Sequence, residues 1–333
     1  MKVQELRNLL KDAERENLEK AFVECYKQLR KGQKEEGDPV LIALLEGKAA
    51  AQAKAEASMD FETLAQQITE FIDNAHAGNY FAPNRIIPKS QRPKWRFMVK
   101  NFIKELSKVP LESADYERSV KLLTDLYALI CVACNYYLFS TEDAFRSIGW
   151  GQRDFFTLVM TRTFADGYSR EKIARLLSYA VSGGLSRESL HVEQEMALVG
   201  GLKTSDVKYM AIEEAQKQVQ EKENKLAGLK KYDSKRYELE EAVDELCGLI
   251  FLITIALGEP EKGVEYYFKH SKESDKEITL YRVLRLADWM DEEELWLEVY
   301  KYGLAKKIKP RDRLREEYER RLRERGTETG KSI

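Results

Sequence analysis

The chain has 333 residues, of which 43% are hydrophobic and 34% charged, and a formal net charge of −2. This balance excludes wholesale disorder and supplies enough apolar material for a sizeable core, but the near-neutral total hides local excesses. Residues 85–104 carry seven basic side chains and no acid, whereas residues 288–298 carry six acids and no base.

The N-terminal MKVQELRNLLKDAEREN has charges every few residues and no apolar run of signal-peptide length, so a cytoplasmic protein is expected. A first helical unit is expected over 1–76, with apolar positions at three-and-four spacing such as Leu18, Phe22, Cys25, Tyr26 and Leu29. Gly37, Asp38 and Pro39 read as a stop, a cap and a first helical residue; the Ala-rich stretch 49–57 reads as a helix end or a solvent-facing bridge. The next helix uses Phe61, Leu64, Ile68, Phe71 and Ile72.

Residues 77–93 form a basic linker, because Pro83, Pro88 and Pro93 each disfavour helix in the residue before them. A central helical unit over 94–203 follows, with helices expected near 94–107, 115–139, 141–148, 152–166, 169–182 and 186–199. The longest apolar stretch, Leu122 to Phe139, contains Asp125 and Asn135 and reads as a buried helix, not a membrane span. Residues 204–257 read as a long charged helical hairpin turning near Tyr232 to Arg236.

Residues 258–325 present helix-turn-helix shapes and a charged cap helix with an apolar stripe of Leu314, Tyr318 and Leu322; residues 326–333 read as a disordered tail. Capping boxes are expected at Ser274 with Glu277 and at Asp291 with Glu294. Val264 and Trp296 lie 32 residues apart, as do Phe268 and Tyr300. The stretch LGEPEKGVEYYFKH resembles the turn and second helix of a tetratricopeptide repeat, although the usual Gly, Ala and Pro pattern is not sustained in the second copy. The expected fold is therefore all-α: helical hairpins stacked as a solenoid-like or multi-helix array, with degenerate tetratricopeptide-like hairpins in the C-terminal third.

Two sets of residues are candidate binding sites. Arg85, Lys89, Arg92, Lys94, Trp95, Arg96 and Lys100 interleave cations with rings, a pattern that suits an acidic partner, or phosphate contact with base stacking. The alternative is a linker whose Trp95 and Phe97 plug an interface and whose arginines pair with acids elsewhere. Tyr266, Tyr267, Trp289, Trp296 and Tyr300 are candidate interface aromatics, a role that full burial of Trp296 and Tyr300 would exclude.

Constellations for chemistry are sparse. The chain has three histidines and four cysteines, with no phosphate-cradling glycine loop and no nucleophile–base signature. Glu188 with His191, and Asp73 with His76, have a carboxylate–histidine spacing used in helical metal sites, but read more simply as surface or capping residues. Cys131 and Cys134 read as buried small hydrophobes. Asp125 should face solvent or pair with Arg153, Arg162 or Arg175. No cofactor or metal is expected. The sequence favours a non-catalytic interaction scaffold with a protein partner and no membrane, with nucleic-acid binding through 79–104 as the alternative and a helical metalloprotein or enzyme as a second alternative.

Overall fold

The computed structural model describes residues 60–329, with side chains to 324, and residues 10, 11, 13–30, 34, 37, 38, 41, 42 and 44–47 before them. The expected Ala-rich bridge at 49–57, the Pro39 position and residues 330–333 of the expected tail lie outside the described residues. The described residues form helices joined by turns and contain no strand. None of these helices is long and apolar enough to cross a membrane. Two compact units divide the chain, Met1–Gln66 and Gln67–Ile333.

In the first unit, helix α1 (Arg15–Gln28) has no buried residue. Its surface carries ion pairs one turn apart, Arg15 with Glu19 at 3.0 Å and Lys20 with Glu16 at 2.7 Å. Such exposed pairs contribute only about 0.3–0.5 kcal/mol each. The expected stripe is present in the sequence but not covered, since Phe22, Cys25 and Leu29 are all exposed.

Helix α2 (Phe61–His76) carries the chain across the division, and the proline-rich stretch 77–93 lies inside the second unit. A short 3-10 turn (Arg92–Lys94) leads into α3 (Trp95–Lys108), which buries Trp95, Val99, Phe102, Ile103 and Leu106 on one face. Helix α4 (Tyr116–Asn135) stops short of the expected 139: at Tyr136 the backbone turns extended, and Phe139 folds back into an aromatic core with Phe71, Tyr80 and Trp95. Helices α5 (Ala144–Ile148), α6 (Gln152–Phe164), α7 (Arg170–Val181) and α8 (His191–Gly201) complete the central set.

The expected helix start at 186 moves to 191 because residues 182–190 are tied down as a loop. Asp143 accepts from the Arg146 N–H at 3.0 Å, the Ser186 hydroxyl at 2.7 Å and the Arg187 N–H at 3.0 Å. Gln152 donates to the Gly184 carbonyl at 3.1 Å and accepts from the Ser186 N–H at 2.8 Å. Glycine is required at 184, since a Cβ there would collide with the Cys131 carbonyl oxygen.

Helices α9 (Ser205–Ala227) and α10 (Lys235–Ile255) form the expected hairpin. Its return arm is buried nearly all round from Ala242 to Thr254. Each Leu, Ile or Phe in such a run contributes about 1.5–3 kcal/mol through burial. Helix α11 (Pro260–His270) lies close against it because Gly263 has no side chain where the Phe251 backbone crosses. Helices α12 (Lys276–Trp289), α13 (Glu293–Ala305) and α14 (Asp312–Thr329) follow. The expected capping boxes do not form: Asp275, not Ser274, caps α12 by accepting from the Glu277 N–H, and Asp291 adopts a positive φ of 56° ahead of α13. The principal packings join helices no more than three places apart in the chain, as in an array.

Candidate functional site

The segment from Asn79 to Lys104 is built around one asparagine. The Asn84 side-chain amide donates to the carbonyls of Asn79 at 2.7 Å and Ala82 at 2.8 Å. Its oxygen accepts from the N–H groups of Ile86 and Ile87 at 2.9 and 2.7 Å. Arg92 closes the loop by donating to the carbonyls of Ile87 at 3.1 Å and Asn84 at 3.3 Å. Arg92 is thereby spent on the loop's own backbone. Trp95 is also structural, stacked on Phe139 with ring centroids 4.0 Å apart. Neither side chain is free to meet a partner, which corrects their place among the candidates.

The other cations of the segment face outward. Arg85, Lys89, Lys94, Arg96, Lys100 and Lys104 are exposed. They take part in none of the ion pairs among the described residues, so the expectation that acids elsewhere neutralise them is not met. Apolar groups stand out beside them: Phe81, Ile86, Phe97 (58% exposed) and Tyr137 (70% exposed). Phe81 stacks on Tyr137 at 5.7 Å, and the Arg96 guanidinium lies 5.0 Å from the Phe97 ring centre. Lys100 reaches toward Gly149, its Nζ 3.2 Å from where a Cβ there would sit. Tyr137 escapes sequence reasoning because it lies 56 residues beyond Phe81, inside a stretch that reads as buried helix.

The C-terminal aromatics behave in the opposite way. Trp296 and Tyr300 are each 2% exposed and stack on one another at 5.7 Å, while Tyr300 stacks on Tyr318 of α14 at 4.2 Å. The Arg321 guanidinium covers the Trp296 ring at 4.3 Å and is itself paired with Asp288 and Glu317, both at 2.8 Å. Tyr267 is buried too, and burial pushes its hydroxyl well above its usual pKa. These three rings are core, and the interface role read from the sequence does not hold for them. Tyr266 is half-buried against His270 at 4.2 Å, and Trp289 remains exposed at the mouth of a cavity.

The remaining candidates separate. Glu188 reaches Arg146 at 3.8 Å on the surface, and Asp73 and His76 are exposed. Asp125 pairs with Lys121 at 2.7 Å, not with Arg153, Arg162 or Arg175. Burial pushes the Cys131 thiol up to about 12 and raises Cys134 as well, which makes both poor nucleophiles at neutral pH. Among the described residues no three His, Cys, Asp or Glu side chains stand close enough to hold a metal ion. The sequence reading missed Glu195 of α8, which is 0% exposed with no hydrogen bond to either oxygen. Burial first, and then the neighbouring Glu245, raises its pKa well above the usual carboxylate range. The spacing His191-x-x-x-Glu195 on one helix and Glu241-x-x-x-Glu245 on another was the available signal, since each pair shares a helix face.

No protein-family model matches the chain, and no curated protein or solved structure gives a match.

Proposed function

We propose that the protein is a non-catalytic helical-array scaffold that docks an acidic protein segment on the face formed by Arg85, Lys89, Lys94, Arg96, Lys100, Lys104, Phe81, Ile86, Phe97 and Tyr137. One observation carries the reading: six cations of this face take part in no ion pair among the described residues, and exposed apolar groups accompany them. Unneutralised charge of one sign attracts an oppositely charged partner, and exposed rings supply the anchors that hold it. The array reading extends to degenerate tetratricopeptide-like hairpins in α11 to α14, supported by Val264 and Trp296, which share the 32-residue register and both point inward.

Single-stranded nucleic acid is the second reading, favoured by the stacked and exposed Phe81–Tyr137 pair. Fluorescence anisotropy with an Asp/Glu-rich peptide bearing Phe and Leu, and in parallel with an oligo-dT strand, distinguishes the two. The scaffold reading expects the peptide to bind and the triple change Lys94→Glu, Arg96→Glu, Lys100→Glu to weaken it by about tenfold or more, equivalent to about 1.4 kcal/mol. Binding of the oligonucleotide alone, with affinity falling steeply as salt rises, would transfer the face to nucleic acid. Arg92 is left unchanged, because replacing it would break the loop.

A further inference from the structure

Helices α8, α10 and α12 border a cavity of about 310 Å³, at the low end of the size range of small-molecule sites, about 300–1,000 Å³. Asp244 and Arg282 line it but are already engaged with each other at 2.7 Å, and the Lys272 N–H also donates to Asp244 at 2.7 Å. Arg285 lines the cavity as an exposed side chain. Among the described residues Glu241 and Glu245 of α10, His191 of α8 and Arg285 itself take part in none of the salt bridges, and the apolar walls are Leu190, Leu286 and Trp289.

Behind Glu245 lies Glu195, fully buried and without a hydrogen-bond donor to either oxygen. Two carboxylates are both acceptors and cannot bond each other, so the pair is satisfied only when one of them carries a proton. Burial raises both pKa values, further for Glu195, while His191 pulls Glu245 back down. A buried acid kept neutral by its neighbour is a poor structural element, because an apolar residue would fill the same space without the desolvation cost. It makes sense beside a site whose occupant supplies the missing positive charge.

We infer that this cavity binds a small organic cation, a primary alkyl- or arylalkyl-ammonium, with its N–H groups on Glu245 and Glu241 and its hydrocarbon against Leu190, Leu286 and Trp289. The wall chemistry selects an ammonium over a metal, since three ligands do not converge, and over an anion, since Asp244 neutralises Arg282 and the carboxylates of Glu241 and Glu245 outnumber the one remaining arginine, Arg285. Trp289 adds a ring face that attracts a cation. On binding, the ammonium's N–H groups donate to Glu245 and Glu241 from the cavity side, while Glu195, which does not line the cavity, keeps the proton that bonds it to Glu245.

The test is calorimetric titration of the intact protein with phenethylammonium, hexylammonium and 1,5-diaminopentane, each against its neutral alcohol analogue. The expected result is binding of an ammonium about tenfold or more tighter than its alcohol. Glu245→Gln, an isosteric change, should abolish the preference for the amine. Glu195→Gln, whose side-chain amide can donate to Glu245 in place of the proton, should keep the amine preference, with thermal unfolding of both variants reporting that they fold. Equal binding of amine and alcohol, absence of binding by all three amines at millimolar concentration, or an amine preference untouched by Glu245→Gln in a folded variant would overturn the assignment.

Discussion

Two regions of the second unit are rich in rings and charge, and the fold treats them oppositely. In the C-terminal helices Trp296, Tyr300 and Tyr318 stack in series beneath Arg321, and Asp288 and Glu317 neutralise that arginine. In the segment 79–104 the inner rings Tyr80 and Trp95 join the core, but Phe81 and Phe97 are left outside with Tyr137, along with cations that no acid among the described residues pairs. Both regions combine rings with charge, the segment 79–104 with cations alone and the C-terminal helices with both signs, and the C-terminal helices spend these groups on packing while the segment leaves them available. A cluster of rings and cations signals a partner when its charges are unpaired within the fold, and signals core when they are paired.

The largest effect expected from this contrast is on stability. Trp296→Ala should cost about 3–5 kcal/mol, because it opens a cavity beside Tyr300 and Arg321, whereas Phe97→Ala should stay within about 0.5 kcal/mol. Denaturant unfolding of the two variants measures the difference, and equal losses would erase the distinction between the regions.

Next comes a carboxylate that the fold answers fully. Burial pushes the pKa of Asp143 up, but the donors from Arg146, Ser186 and Arg187 outweigh it and hold the acid below its usual value. A carboxylate depressed in the folded state binds its proton more readily when unfolded, so its contribution is complete above the unfolded pKa of about 3.9 and is lost as pH falls through the folded value. Asp143→Asn should cost about 1.5–3 kcal/mol at neutral pH. The gap between variant and parent should close as unfolding is followed down through that acidic range, and a gap that widened would refute the assignment.

The smallest effect compares two arginines that each lie on a ring. Arg321→Met should cost about 1–2 kcal/mol, through its two acids and its cover over Trp296, while Arg96→Met should be neutral within about 0.5 kcal/mol. Thermal unfolding at low and high salt sharpens this further, since only the paired arginine should lose part of its effect to screening.

Helix after helix was legible because apolar residues recur at three-and-four spacing, as in Val99, Phe102, Ile103 and Leu106, and because glycine and proline punctuate the joints. The exits were not. Asn135 ends α4 because Phe139 is captured by Trp95, a residue far away in sequence, and no local signal announces that capture. The fates of the aromatics were hidden for the same reason: Trp296 and Phe97 look alike until α14 is seen to cover the first while the second stays 58% exposed. Arg92 and Arg96 are likewise indistinguishable in sequence, and only the loop geometry around Asn84 turns the first inward. Glu195 reads as an ordinary charged residue until the packing of α8 on α10 removes it from water.

The most direct test of the central claim is affinity capture from native cytosol with the tagged parent and with the Lys94→Glu, Arg96→Glu, Lys100→Glu variant side by side, after nuclease treatment, read by quantitative mass spectrometry. The account predicts a stoichiometric protein with an acidic segment that survives nuclease and is lost from the variant. The same proteins recovered in equal amount with both baits would contradict it.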